Sequence, residues 1–266
     1  MSHEPRISAL YVYPVKACSG IRVDSARVVA RGFERDRRYM IVDSTGAFVT
    51  QREVPELALV KTAFEDRTIV LRRQGYADCS LPLALDDGPS QEVTVWRHSG
   101  SALRHEGASA WMSAVLERPV GVVYMPDTHR RPVNPERGNA SDVVSFADAY
   151  PFLAISQASL DDLNSRLDVP IAMERFRPSI VVSGVEPYAE DSWVRVQLAE
   201  LTFRAPKRCE RCTVTTVDPE TGVRGKEPLR TLAAYRKADG KVWFGMNLIH
   251  DGEGVLSVGD RVGLIV

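Results

Sequence analysis

The sequence contains little cysteine. Only four cysteines occur among 266 residues, which is too few for a disulfide scaffold. Cys18 and Cys79 stand alone, whereas Cys209 and Cys212 are three positions apart. No second pair follows at the spacing of a structural zinc site, and the histidines form no pair at zinc-finger spacing. These counts argue against a structural zinc site.

Long apolar runs and net charge are also lacking. No segment is long enough to span a bilayer, and the N-terminus has no apolar core of signal-peptide length. The formal net charge is −1, so no overall field attracts nucleic acid or a membrane surface. Any anion site must therefore be a local cluster. With few cysteines and no export signal, we expect a reducing, cytoplasmic location.

The most informative stretch runs from Lys207 to Pro219. The two paired cysteines lie there among Lys207, Arg208 and Arg211. Neighbouring cations favour the thiolate, which is the form that binds metals or attacks electrophiles. The β-branched run from 213 to 217, closed by Asp-Pro, predicts a basic loop that opens onto a strand, with Cys212 at the junction.

The cysteine pair allows three other interpretations. Half a zinc site would need a second ligand pair, which the sequence lacks. A thioredoxin-like redox pair opens a helix, whereas the residues after Cys212 favour a strand. An inert pair of core cysteines fits poorly with the basic flanks.

The rest of the chain predicts a mainly β fold. Short strands bounded by turn residues favour a barrel or sandwich in the first part, at 7–13, 23–29, 39–42, 47–50, 58–64, 68–72 and 92–96. Further strands are predicted at 120–124, 180–183, 194–198, 200–204, 244–249 and 258–264. Three helices are predicted, the first capped by Ser109, the second by Ser159 and the third opened by Pro228.

Several charged residues lie in segments without regular structure. Lys16 follows the first strand, and its ordinary interpretation is a solvated turn lysine. Arg37 belongs to a charged run that usually forms a solvated face. Arg177 precedes an apolar run and therefore calls for an anionic partner. The polar loop 126–141 is long enough to serve as a lid over the partner of Cys212.

Separate segments, in order along the chain, resemble one family. They are Tyr13-Pro14-Val15-Lys16, Asp36-Arg37, Pro151-Phe152-Leu153, 158–167, Phe176-Arg177-Pro178, 188–193 and 211–222. The sequence resembles the MOSC superfamily in its two-part form, and in particular the mitochondrial amidoxime-reducing components and their bacterial homologues. The resemblance implies a mainly β fold with a few helices (α+β). Its parts would be a β-barrel-like MOSC N-terminal domain, residues 1–120, and a C-terminal MOSC β-barrel domain, residues 121–266.

The resemblance also implies the molybdenum cofactor, a pterin dithiolene with a phosphate tail. Cys212 corresponds to the protein ligand of molybdenum, and a sulfur ligand suits this soft, redox-active metal. The implied cofactor contacts are Lys16, Arg37, Asp148, Arg177 and Arg211, with Ser179 in place of a family asparagine. Lysine and arginine would supply charge and bidentate donors to the phosphate. Asp148 is also a candidate for proton delivery.

Two departures from the family pattern concern the neighbours of these residues. Glu210 replaces a small polar residue, and a carboxylate there should repel an anionic cofactor unless it is turned away. Ala17 replaces a serine that follows the lysine in the family.

The implied activity is the reduction of N-hydroxylated compounds, such as amidoximes and N-hydroxylated bases, with no role for nucleic acid or a membrane. The chain lacks grouped cysteines for an iron–sulfur cluster, so we expect electrons from an external ferredoxin- or cytochrome-type protein with its reductase. Two alternatives stay open. One is a sulfur carrier or transferase that holds a persulfide, although no pyridoxal-phosphate desulfurase domain is present. The other is a non-catalytic protein that binds the molybdenum cofactor.

Overall fold

The fold was analysed in a computed structural model that describes residues 4–265. Within that range, strands predominate over three short α-helices. The first part contains β1 (Arg6–Val12), β2 (Ile21–Val23), β3 (Ser25–Val29), β4 (Gly32–Phe33), β5 (Tyr39–Val42), β6 (Lys61–Glu65), β7 (Thr68–Arg72), β8 (Cys79–Pro82), β9 (Ser90–Val95), β10 (His98–Arg104), α1 (Glu106–Val115) and β11 (Gly121–Tyr124). The second part contains β12 (Phe152–Ser156), α2 (Gln157–Asn164), β13 (Ile180–Ser183), β14 (Arg195–Leu198), β15 (Leu201–Glu210), α3 (Leu229–Tyr235), β16 (Lys237–Ala238), β17 (Lys241–His250), β18 (Gly254–Ser257) and β19 (Val262–Ile265).

The expected fold class, mainly β with a few helices, is confirmed. One large sheet has the strand order β19-β14-β15-β17-β12-β13-β1-β2, with β16 beside β17. Smaller sheets have the orders β5-β11-β10-β9, β18-β3-β4 and β6-β7-β8. β14 alternates exposed and buried residues because only one of its faces meets the core, whereas β5 and β12 are buried along their whole length.

Strands from the N-terminus join the sheet formed by the C-terminal half. β1 pairs antiparallel with β13, and its other edge pairs with β2. β13 in turn runs parallel to β12, which pairs with β17. The loop that follows β1, and with it Lys16, is therefore held beside the segments that carry Arg177 and the paired cysteines. The division at residues 120 and 121 stays a prediction.

The prediction of a strand after Cys212 was wrong. β15 precedes the cysteine, and Thr213–Thr216 form a 3₁₀ helix instead. The Thr215 hydroxyl donates a hydrogen bond to the Cys212 carbonyl at 3.0 Å, and the Thr216 hydroxyl donates to the Thr213 carbonyl at 2.8 Å. Such local bonds let threonines favour a tight turn over a strand.

Two predicted helix caps were also misplaced by a few residues. α1 is capped by His105, whose Nδ1 accepts from the Ala108 amide, and Ser109 lies inside the helix. α2 is capped by Ser156, whose hydroxyl accepts from the Ser159 amide at 3.0 Å. The Ser159 hydroxyl instead donates to buried Glu190. Pro228 directly precedes α3, as predicted. Along residues 4–265, none of the helices is both long and apolar enough to cross a membrane.

Candidate active site

Cys212 lines a cavity that both halves of the chain build. The cavity has about 880 Å³ of space free of protein atoms, part of it open to solvent. Its walls come from the loop after β1, residues 50–52, residues 147–150, the turn before β13, and the end of β15. Five cations line it together with both paired cysteines: Lys16, Arg37, Arg52, Arg177 and Arg211.

The two cysteines have different neighbours. Cys212 precedes the 3₁₀ helix, and its Sγ lies 3.8 Å from Nη1 of Arg52. Cys209 lies at the end of β15 and packs partly against a hydrophobic cluster. Its Sγ is 3.0 Å from Nη1 of Arg211. Each sulfur thus has its own guanidinium.

Lys16 is buried, so the solvated-turn interpretation was wrong. Its Nζ donates to the Phe146 carbonyl at 2.8 Å and to Oδ1 of Asp148 at 2.5 Å. Burial lowers the pKa of Lys16 to about 8, although the charge of Asp148 opposes that shift. Lys16 therefore reaches its titration range near neutral pH, whereas an exposed lysine stays charged.

Asp148 is the ion-pair partner of Lys16, and 63% of its side chain is exposed to the cavity and solvent. Desolvation by the surrounding protein atoms favours the neutral carboxyl and by itself raises the pKa of Asp148. The charges of Lys16, Arg52 and Arg37 outweigh this effect and hold the pKa well below its usual range. The carboxylate is thus ionised at neutral pH, where it accepts hydrogen bonds and has no proton to donate.

Arg37 and Arg177 stack on the ring of Tyr13. Their guanidinium carbons lie 4.7 Å and 4.3 Å from its centroid. Arg37 also pairs with buried Asp36 at 2.6 Å, so the expected solvated face does not hold for these two residues. Arg177 Nη1 donates to the Cys18 carbonyl at 2.6 Å, while its Nη2 is buried with no hydrogen-bond partner among residues 4–265.

Arg211 has the same incomplete bonding as Arg177. Its Nη2 donates to the Phe176 carbonyl at 2.7 Å, and its Nε is buried with no hydrogen-bond partner in the described part of the chain. A buried N–H that lacks an acceptor is energetically costly. When the N–H belongs to a cation, a negatively charged acceptor is favoured. Two such donors in one cavity fit a ligand that carries an anionic group, such as the phosphate of the pterin cofactor.

The structure does not bring Ser179 into the cavity. Ser179 is fully buried, and its Oγ faces the amide of Leu153 at 3.5 Å. Its place is inside the sheet, between β12 and the start of β13. Glu210 does border the cavity, but its carboxylate pairs with Lys241 at 2.7 Å, which offsets the repulsion expected from the sequence.

Arg52 is the main site residue that sequence reasoning missed. It lies in a turn before Pro55 and belongs to none of the segments that carry the family resemblance. Its guanidinium stacks on Trp96 at 4.7 Å and reaches Cys212, a contact between residues 160 positions apart in sequence. No local pattern encodes such a contact.

The long loop 126–141 does not act as the expected lid, since none of its residues lines the cavity. Its buried Arg131 instead supports the wall from behind. The guanidinium donates to the carbonyls of Ser145, Ala147 and Asp148 at 2.5–2.8 Å. Arg131 thereby fixes the segment that carries Asp148.

The protein offers few metal ligands of its own. In the part of the chain that the structure describes, His, Cys, Asp and Glu side chains form no group of three or more that could hold a metal ion. A metal at Cys212 would therefore need a cofactor that brings further ligands. A dithiolene cofactor with a phosphate tail would meet both demands, because its sulfurs would supply the further ligands beside Cys212 and Arg177 and Arg211 would hold its phosphate.

Comparison with known families agrees with the fold. Residues 4–119 match the MOSC N-terminal beta barrel domain, and residues 141–263 match the MOSC domain. The chain belongs to the MOSC superfamily, in the form that combines these two domains.

Its relatives carry names linked to molybdenum or to amidoxime reduction. The chain is 35% identical to mitochondrial amidoxime-reducing component 1 of Mus musculus, over 97% of this chain and 82% of the relative. It is 34% identical to the Homo sapiens protein of that name, with the same coverage. A molybdenum cofactor sulfurase of Solanum lycopersicum is 30% identical over 96% of this chain but only 36% of the relative.

Proposed function

We propose that this protein is a molybdenum-cofactor-dependent oxidoreductase that reduces N-hydroxylated compounds such as amidoximes. The observation that carries the proposal is the cavity of Cys212. Five cations line it together with Cys212, and two of them have buried N–H groups that find no acceptor among the described residues. The names of the amidoxime-reducing relatives support the reaction class.

The reaction consumes two electrons and two protons, breaks the N–O bond, and releases an amidine and water. The cofactor supplies the two-electron redox chemistry. Cys212 would bind the metal, Arg177 and Arg211 would bind the phosphate, and Arg37 would reinforce their charge from the Tyr13 stack. Lys16, whose pKa is about 8, is better suited to hand over a proton than ionised Asp148, which orients Lys16.

The test uses protein made in a host that synthesises the cofactor. We expect reduction of an amidoxime by dithionite and a viologen, and molybdenum bound to the purified protein. Cys212→Ser should abolish activity and most molybdenum retention, because a hydroxyl is a poor substitute for a thiolate on this metal. Cys209→Ser is the matched control and should retain most of both. Full activity in Cys212→Ser would remove the ligand assignment.

Sulfur transfer is the second candidate. It is favoured by the sulfurase relative and by the second cysteine, whose Sγ lies 3.0 Å from Arg211. Cyanide-releasable sulfur on the purified protein, lost equally in both cysteine variants, would support this candidate. Molybdenum binding without turnover in the viologen assay would instead support a non-catalytic cofactor-binding protein.

Electrons would come from a separate ferredoxin- or cytochrome-type protein with its reductase, and the site of action would be the cytoplasm. The four free cysteines suit a reducing compartment. Near the cavity, Lys207, Arg208 and Lys241 surround the Trp243 ring at 5.0–5.9 Å. Glu210 pairs with Lys241 and Asp191 with Arg208, so Lys207 is the cation of this group that has no carboxylate partner among the described residues and could steer an acidic donor.

A further inference from the structure

Trp96 is an exposed aromatic residue beside the cavity. Among the side chains that the structure describes, the exposed tryptophan and tyrosine residues are Trp96, at 49%, and Tyr76, at 37%. Trp96 opens the two-residue turn between β9 and β10. Its Nε1 lies 3.4 Å from Oδ1 of Asp148, which lines the cavity. The indole therefore stands beside the cavity, against Asp148, and is not itself one of the residues that line it.

The backbone of Trp96 is unfavourable for a large residue. Its φ is +57°, in the left-handed region where a Cβ crowds the following carbonyl. Hairpin turns of two residues usually place glycine, asparagine or aspartate in such positions. A tryptophan held there needs a compensating role, and strained residues of this kind cluster at ligand sites.

A chain of contacts links the indole to Cys212. Arg52 stacks on the Trp96 ring at 4.7 Å, and its Nη1 reaches the Cys212 sulfur at 3.8 Å. Phe48 packs against the same indole with ring centroids 5.2 Å apart. Arg52 covers one face of the indole, and half of the residue remains free to meet a ligand.

We propose that Trp96 is an aromatic subsite that holds the flat aryl group of an N-hydroxylated substrate, with the N–OH directed toward Cys212. This subsite rests on the proposed function and favours aryl over alkyl amidoximes. Offset stacking on tryptophan suits a flat aryl ring.

The binding test compares an aryl with a methyl amidoxime. The dissociation constants of benzamidoxime and acetamidoxime are measured calorimetrically on oxidised, cofactor-loaded protein. Trp96→Ala should weaken benzamidoxime binding about tenfold, which corresponds to the loss of one good stacking contact. Trp96→Phe should restore most of it, and acetamidoxime should not discriminate between the variants. Tyr76→Ala, which removes the other exposed aromatic residue, is the control.

The kinetic test uses dithionite and a viologen as the electron source. The preference for benzamidoxime over acetamidoxime, as a ratio of kcat/KM, should fall about tenfold in Trp96→Ala and be kept in Trp96→Phe and Tyr76→Ala. An unchanged benzamidoxime dissociation constant in Trp96→Ala overturns the subsite. Equal losses for both substrates also overturn it, since Trp96 would then act only through Arg52. If loaded wild-type protein binds benzamidoxime but reduces neither compound, the proposed function fails while the binding contrast still decides the subsite.

Discussion

At the scale of single residues, the cavity has more positive than negative charge. In residues 4–265, Lys16 pairs with Asp148 and Arg37 pairs with Asp36, whereas Arg52, Arg177 and Arg211 form no ion pair with a carboxylate. Burying charge without a partner opposes folding, so the arrangement is understandable only if an anion enters. The apo protein should accordingly be destabilised by its own site.

The stability of the protein should depend on pH through Lys16. The pKa of Lys16 in the folded protein is about 8, below its ordinary value of 10.5. The unfolded chain therefore binds this proton more tightly, and the contribution of Lys16 to the free energy of unfolding rises as the pH increases from about 8 to 10.5. The rise is at most about 3 kcal/mol. Lys16→Met should remove it.

Urea unfolding of the apo protein between pH 7 and 10.5 checks this prediction. Lys61→Met is the control, because Lys61 is half exposed and pairs with Glu220 at the surface. The control should keep the wild-type pH profile. Identical profiles for wild type and Lys16→Met would mean that Lys16 is not buried as a charged group.

At the scale of secondary-structure elements, close packing of β17 against β12 holds the C-terminal half of the site in place. Gly245 lies in β17 with a φ of +83°, and a Cβ there would come within 2.7 Å of Ile155 Cγ1 and 2.9 Å of the Ala154 carbonyl. Gly240, in the turn before β17, has a φ of +73° but no neighbour within 4 Å. The two glycines separate backbone strain from crowding.

We predict that Gly240→Ala costs about 1–2 kcal/mol of stability, from its left-handed backbone alone. Gly245→Ala should cost about 1–3 kcal/mol more, because the sheet must also shift to admit the methyl group. Chemical denaturation of both variants measures the difference. Equal losses would show that β17 does not approach β12 closely at this point.

The segment that carries Asp148 depends on Arg131. Arg131→Met would leave the carbonyls of Ser145, Ala147 and Asp148 without their donor, at about 1–3 kcal/mol for each carbonyl that stays buried. We therefore expect a marked fall in the melting temperature. Arg130→Met is the control, since exposed Arg130 donates only to the Ala140 carbonyl. Equal melting temperatures for the two variants would contradict this support role.

Sequence reasoning succeeded where the signal is local and apolar. β1, β5 and β7 follow from short apolar or β-branched runs that end at turn residues. It failed at Thr213–Thr216, where β-branched side chains bond to their own backbone and form a 3₁₀ helix.

Long-range contacts could not be predicted from the sequence. Arg52 contacts Cys212, and buried Lys16 contacts the Phe146 carbonyl, in each case more than a hundred residues away, and no pattern along the chain encodes these contacts. The resemblance placed Ser179 at the cavity, but its side chain points into the sheet.

At the scale of the whole molecule, the site joins distant parts of the chain. Lys16, Arg37 and Arg52 come from the first part, whereas Arg177, Arg211 and Cys212 come from the second. The pairing of β1 with β13 brings the two groups together. A ligand that binds only this folded arrangement stabilises the whole protein, so loading with the cofactor should raise the melting temperature.

Arg37 is a poor probe of the site, because its removal would leave buried Asp36 with the Tyr13 amide but without its cationic partner, and so destabilise the fold. Lys16 and Arg177 are better probes, since Asp148 is exposed to solvent and Arg177 has no carboxylate partner among the described residues. Lys16→Met and Arg177→Gln thus test the two halves of the cavity separately.

The most direct test of the account is the molybdenum and pterin content of these proteins, purified from a host that synthesises the cofactor. Wild type and Lys61→Met should contain molybdenum and pterin in near-equal amounts. Lys16→Met and Arg177→Gln each lose one charge-assisted contact, worth about 1.5–3 kcal/mol, and should bind the cofactor about one to two orders of magnitude more weakly. A wild-type protein without molybdenum or pterin, or unchanged contents in both cavity variants, would contradict the claim that this cavity holds the cofactor.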